Sequence, residues 1–118
     1  MKSTDIYNIF DIDGLLAQSF HNYEFREGQL DMSLAVASSY EKNAIAALEA
    51  GTGIGKSFAY LVPAILWAIE HPDEKTVIAT STINLQRQLY DKDVRQLFTT
   101  LKVEVPVALL MGRGNYLC

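Results

Sequence analysis

A glycine-rich octapeptide contains the residue types that could hold a polyphosphate. It fits the pattern Ala or Gly, four free positions, Gly, Lys, Ser or Thr. The glycines let the backbone turn so that successive N–H groups point inward, and a following helix adds its positive N-terminal end. Lys56 is expected to reach the β- and γ-phosphates, and the Ser57 hydroxyl to complete a Mg²⁺ shell. The predicted phosphate-binding residues are Ala50, Gly51, Thr52, Gly53, Ile54, Gly55, Lys56 and Ser57.

Two further segments carry polar side chains that could bind a nucleotide or its polymers. The amide of Gln29 can both donate to and accept from the edge of adenine, a pattern that guanine does not match, although Gln29 taken alone is better explained as a helix-surface residue. Downstream, the hydroxyls at 80–82 precede an apolar helical pattern. Ser and Thr at a helix start, with the free N–H groups there, can hold phosphates without reading base sequence. An ordinary capped helix fits the same residues.

Alternating elements are expected to position these groups. Apolar spacing predicts three helices, and the intervening β-branched or apolar runs predict strands, so the fold class is α/β with a parallel sheet. Asn43 should end the first helix, because asparagine tolerates the left-handed conformation. The predicted helices are Gln29–Tyr40, Ser57–Glu70 (containing Pro63) and Thr82–Thr99, and the predicted strands are Ala44–Glu49, Thr76–Thr80 and Val103–Leu110.

Composition excludes several classes of protein. The 118 residues are 49% hydrophobic and 20% charged, which argues against disorder and low complexity. The sequence has neither a long apolar run nor a cationic apolar leader, so we expect a cytoplasmic protein without a membrane partner. The net charge is −4, but residues 81–118 carry five basic and three acidic side chains. That modestly basic third could face phosphates.

Four segments in order and in register resemble the DinG/XPD-like iron–sulfur DNA helicases of superfamily two. The octapeptide resembles their Walker A loop, and Tyr23-Glu24-Phe25-Arg26-Glu27-Gly28-Gln29 resembles their adenine-reading Q motif. The segment 80–89 is similar to helicase motif Ia. The segment 111–118, Met-Gly-Arg-Gly-Asn-Tyr-Leu-Cys, is similar to the start of the iron–sulfur insertion. The resemblance runs from about residue 9 to residue 118.

The resemblance implies a three-layer RecA-like P-loop fold with a parallel sheet, of which only the N-terminal part is expected here. Residues 1–22 would be a lead segment and residues 23–118 a partial first motor domain. Catalysis would depend on Lys56, and ATP and Mg²⁺ would be cofactors. Arg26 and Gln29 would hold adenine, and Cys118 would be one of four thiolate ligands of a [4Fe–4S] cluster. The residues implied to hold single-stranded DNA are Thr80, Ser81, Thr82 and Gln86.

The same resemblance implies a monomeric ATP-dependent helicase acting on single-stranded DNA and duplex junctions, with 5′→3′ polarity and a role in repair or replication. No Asp-Glu-x-His segment is present to supply the Walker B acid, so we expect the 118 residues alone to be inactive. Three alternatives stay open. Asp11 and Asp13 look like the start of a haloacid-dehalogenase phosphatase. The loop could instead belong to a small nucleotide kinase, or to a non-catalytic ATP-binding remnant.

Overall fold

The computed structural model describes residues 1–49 and 55–112 and divides the chain into two compact units, Met1–Thr76 and Val77–Cys118. No helix in the described residues is long and apolar enough to cross a bilayer. The first unit contains helices α1 (Ser3–Phe10), α2 (Leu15–Ser19), α3 (Glu27–Lys42) and α4 (Lys56–Glu70). The second unit contains α5 (Ile83–Gln88), a π-helical segment (Leu89–Asp93) and α6 (Val94–Leu101).

The core of the first unit lies between α3 and α4, with α1 against α3 and α2 against α1. Helix α3 buries one face, with its buried residues at 29, 30, 33 and 37, whereas α4 is buried on all sides from Leu61 to Ile65. Two of the three predicted helices therefore form close to the predicted bounds. Asn43 ends α3 in the left-handed conformation (φ 52°), which confirms that prediction. The buried apolar residues of this unit are Ile6, Ile9, Phe10, Leu16, Leu30, Ala37, Ala59, Leu61, Val62, Ala64 and Ile65.

Helices α3 and α4 run in the same direction. Near their starts, Gln29 Nε2 lies 3.1 Å from the carbonyl oxygen of Gly55. Near their ends, the rings of Tyr40 and Trp67 lie 5.3 Å apart between centroids. A helix of this length rises about 24 Å, so the end of α3 and the start of α4 lie at opposite ends of the helix pair. α/β proteins place a strand between two such parallel helices.

The predicted parallel sheet is not found in residues 1–49 and 55–112, which contain no strand. Ala44–Glu49, Thr76–Thr80 and Val103–Leu110 have no regular structure. A strand is stable only when neighbours complete its hydrogen-bond ladder and cover its side chains. Here Ile45 is fully exposed, Val77 is 89% exposed and Leu110 is 77% exposed. These segments were predicted as strands from their residue types and their position between helices. Neither property shows whether a neighbouring strand is present to pair with them.

The second unit also departs from the predicted single helix at 82–99. The amide of Val94 bonds to the carbonyl of Leu89, five residues earlier, which marks the π-helical turn. That turn shifts the helix face by one residue and brings Leu89 and Val94 to the same core as Leu97 and Phe98. Leu85 lies four residues before Leu89 and would share its face in a regular helix, but it is 37% exposed.

Candidate nucleotide-binding site

Helix α4 begins at Lys56, the seventh residue of the octapeptide, as a phosphate-binding loop of this pattern requires. Its N-cap residue is Gly55, in the left-handed conformation at φ 73°. Side chains other than glycine rarely adopt this conformation, which explains why the position needs glycine. Among the described residues no side chain caps α4, so its first-turn amides and positive helix end are left for another acceptor.

Lys56 and Ser57 are the first two residues of α4. Lys56 is exposed and Ser57 is half-buried. A cation and a hydroxyl at an uncapped helix start match the needs of a phosphate and its Mg²⁺ ion. The remaining predicted loop residues, Ala50 to Ile54, lie outside the described residues.

Gln29 is the most informative side chain near this helix start. It is only 5% exposed, and its Nε2 donates to the Gly55 carbonyl oxygen at 3.1 Å. A carbonyl only accepts, so this bond fixes which side of the amide carries nitrogen. The amide oxygen, Oε1, is buried and has no hydrogen-bond partner. A Cβ added to Gly55 would collide with the Gln29 amide, so glycine is needed for close approach as well as for its φ angle.

The rest of the predicted adenine-reading segment joins the lead segment to α3. Arg26 is the N-cap residue of α3 and lies 3.2 Å from the Glu24 carboxylate. The Tyr23 hydroxyl donates to the carbonyl of Phe10 at the end of α1. Burial raises the pKa of Tyr23 above its usual value, and the Asp11 carboxylate adds to the increase. The anchoring role of Tyr23 was not predicted, because the sequence does not show which carbonyl lies nearby.

The residues predicted to hold DNA lie in the second unit, before and within α5. Thr82 is the N-cap residue, and its Oγ1 accepts from the amide of Leu85 at 3.2 Å. The Thr80 hydroxyl donates to the Thr82 carbonyl at 2.9 Å, and Ser81 is exposed. Gln86 Nε2 donates to the carbonyl of Leu110. The hydroxyls thus stabilise the turn, as an ordinary capped helix would require, and the assignment to DNA stays a prediction.

The structure does not support the phosphatase alternative at Asp11 and Asp13. Its catalytic acids should follow a strand, but the residues before Asp11 form helix α1. Asp11 and Asp13 are exposed and lie in a turn closed by the bond from the Gly14 amide to the Asp11 carbonyl at 2.9 Å. In residues 1–49 and 55–112 no group of three or more His, Cys, Asp or Glu side chains could hold a metal ion. Cys118, the predicted cluster ligand, lies outside the described residues.

Comparison with known proteins gives one family. A family model described as DEAD/DEAH box helicase matches residues 30–115. The chain is 41% identical over 113 residues to "ATP-dependent DNA helicase YoaA" of Haemophilus influenzae, covering 96% of this chain. It is 50% identical over 97 residues to "ATP-dependent helicase DinG" of Mycobacterium tuberculosis, covering 79% of this chain. It is 35% identical over 103 residues to a Bacillus subtilis protein named "3'-5' exonuclease DinG", covering 87% of this chain.

The chain spans only 17%, 14% and 11% of the lengths of these three relatives. No solved structure matches the chain. The matched region contains Gln29's neighbours on α3, the phosphate loop and the segment before α5. The family model thus covers the phosphate loop and the segment before α5, whereas Arg26, Gln29 and Cys118 lie outside residues 30–115.

Proposed function

This chain belongs to the DEAD/DEAH box helicase family, and we propose that it forms the ATP-binding portion of a longer ATP-dependent DNA helicase. A RecA-like fold follows from the family. We propose that the parallel sheet of that fold includes the three segments at 44–49, 76–80 and 103–110, once further strands of the longer protein pair with them. Their exposed apolar side chains support this assignment.

The observation that carries the proposal is the bond between the Gln29 amide and the Gly55 carbonyl. The bond joins the Gln29 amide to the start of α4, which no side chain of the described residues caps, and this supports a single ligand that contacts both. The buried, unpartnered Oε1 of Gln29 fits the exocyclic amine of adenine, which is a donor. The guanine oxygen at the same position is an acceptor and would be repelled. A nucleotide of the ATP type therefore fits this site better than GTP.

In the proposed enzyme each predicted residue has one task. The phosphate loop from Ala50 to Gly55 and Lys56 bind the polyphosphate, Ser57 holds Mg²⁺, and Gln29 with Arg26 holds adenine. Bound Mg²⁺ would neutralise charge on the transferred phosphoryl group. Thr80, Ser81, Thr82 and Gln86 hold the backbone of single-stranded DNA at duplex junctions. We further propose a cytoplasmic monomer with 5′→3′ polarity that acts in repair or replication.

Cys118 is the only cysteine of the chain, and a [4Fe–4S] cluster needs four thiolates. We propose that it supplies one ligand and that the longer protein supplies three. Iron and sulfide analysis of the longer protein with Cys118→Ser tests this assignment, because loss of a ligand should lower cluster content. Unchanged cluster content would rule Cys118 out.

The proposal is tested by Lys56→Ala in the longer protein, with DNA-stimulated ATP hydrolysis as the measurement. Removing one preorganised cationic donor should lower the turnover number by about 10²–10³-fold. Lys75→Ala is the matched control, because Lys75 is an exposed lysine in the segment after α4. It should leave hydrolysis unchanged. Equal turnover in the Lys56→Ala and parent proteins would overturn the site assignment.

A further inference from the structure

Helix α3 carries two buried polar atoms that lack hydrogen-bond partners. They are Oε1 of Gln29 and Oγ of Ser33, and these residues are 5% and 0% exposed. Within residues 1–49 and 55–112, no other buried side-chain nitrogen or oxygen is without a partner. Because an unpaired buried polar group is costly in a folded protein, two of them on one helix call for a physical explanation.

The two atoms belong to neighbouring turns of the same helix face. Residues four apart on a helix have Cβ atoms about 5–6 Å apart. Side chains tilt toward the helix N-terminus, so the Ser33 hydroxyl leans toward the turn that carries Gln29. The hydroxyl has a donor to give and Oε1 has lone pairs to accept it. Neither atom has a partner in the structure, and their donor and acceptor chemistry is complementary.

We propose that Ser33 is a specificity-determining positioning residue, whose hydroxyl donates to Gln29 Oε1 and holds the amide in its adenine-reading orientation. This inference rests on the proposed function. Gly55 already fixes the nitrogen side of the amide through its carbonyl, and Ser33 fixes the oxygen side. Oε1 then accepts from Ser33 and from the 6-amino group of adenine. Nε2 donates to Gly55 and to a ring nitrogen, so the amide uses its full hydrogen-bonding capacity.

A purely structural role for Ser33 makes a different prediction. A helical serine can bond back to the main-chain carbonyl four residues earlier, here that of Gln29. In that case replacing Ser33 would alter stability and leave base discrimination unchanged. Base discrimination, measured separately from stability, therefore decides between the two roles.

The experiment measures dissociation constants for ATP and ITP, each with Mg²⁺, in the longer protein. ITP carries an oxygen acceptor where ATP carries the 6-amino donor. Ser33→Ala should lower the ITP/ATP ratio of dissociation constants by about 2- to 10-fold, the effect of one neutral hydrogen bond. Ser39→Ala is the control on the same helix, since the Ser39 hydroxyl donates to the Ala35 carbonyl at 3.0 Å. It should leave the ratio unchanged.

Two further variants sharpen the test. In a Gln29→Ala background, Ser33→Ala should have no additional effect on the ratio, because Ser33 acts through Gln29. Ser33→Cys keeps a similar volume with a weaker donor, so it should give an intermediate ratio and serves if Ser33→Ala fails to fold. A parent-like ratio in both Ser33 variants overturns the inference while leaving ATP binding intact. ATP binding that does not depend on Lys56 would instead overturn the proposed function.

Discussion

Two helices of this chain begin where the sequence predicts a phosphate to bind, and their first turns are built differently. Helix α4 follows a left-handed glycine, Gly55, and among the described residues no side chain caps it. Helix α5 follows Thr82, whose hydroxyl oxygen already accepts one of the first amides. The first arrangement leaves donors for a ligand, whereas the second uses one of them internally. A phosphate at α5 would have to compete with Thr82.

The two helix starts also differ in what holds them in place. Helix α4 has six buried residues and packs along α3, so its first turn is positioned by the core of the unit. Helix α5 has no buried residue; the Thr80 hydroxyl makes a local bond before it, and Gln86 bonds to the carbonyl of Leu110, 24 residues further along the chain. The candidate nucleotide site is thus positioned by tertiary packing, and the proposed DNA segment by hydrogen bonds of polar side chains. The second kind of site adapts more easily to a flexible polymer.

The largest expected difference comes from removing a leucine from each helix. Leu61 of α4 is 2% exposed, and Leu61→Ala should lower the free energy of unfolding by about 2–5 kcal/mol. Leu85 of α5 is 37% exposed, and Leu85→Ala should cost about 0.5 kcal/mol. Urea unfolding followed by circular dichroism measures both. Equal losses would show that core packing does not distinguish the two helix starts.

Loss of the cap should have a smaller effect. Thr82→Ala removes the acceptor for the Leu85 amide and should lower the free energy of unfolding by about 1 kcal/mol. If Thr82 also contacts DNA, the Thr82→Ala protein should in addition bind single-stranded DNA more weakly than the parent protein does. Thr99→Ala is the control, since the Thr99 hydroxyl bonds back to the Arg95 carbonyl within α6, an interaction that adds little stability. Thermal unfolding measures both variants, and an equal change in their melting temperatures would contradict the capping role of Thr82.

Sequence reasoning was most successful where local chemistry decides structure. Helices α3 and α4, the left-handed Asn43 and the helix start after Gly55 follow from apolar spacing and residue type. The contact between Gln29 and Gly55 could not be predicted, since it depends on how two helices pack across 26 residues of sequence. The sheet was predicted from context, but strand pairing depends on partners that these residues do not supply.

The π-helical segment shows a further limit of periodicity. Spacing of four from Leu89 leads to Asp93 and then Leu97, so a regular helix would place a carboxylate in an apolar stripe. The π turn brings Val94 into the core, yet Asp93 stays buried at 6% exposure. No residue in the sequence marks that turn in advance. The burial of the Asp93 carboxylate, which is unfavourable for its charged form, therefore could not be predicted from the sequence.

The buried Asp93 carboxylate predicts how the stability of the second unit depends on pH. Burial raises the pKa of Asp93, although Lys92 and a hydrogen bond with Gln88 partly oppose the shift. A raised folded-state pKa means that the folded chain binds this proton more tightly than the unfolded chain does. The protonated form is therefore favoured, and its stabilising effect is present at low pH and lost as pH rises through the folded-state pKa.

Asp93→Asn removes the charge and keeps a similar shape, so it should raise the melting temperature at pH 7 by less than Thr82→Ala lowers it. The gain should shrink as the pH is lowered toward the ordinary aspartate pKa of about 4, where the parent carboxyl is already protonated when folded. Asp91→Asn is the matched control, because Asp91 is exposed in the same turn. A gain for Asp93→Asn that is constant from pH 7 to pH 4 would exclude a titrating buried carboxylate.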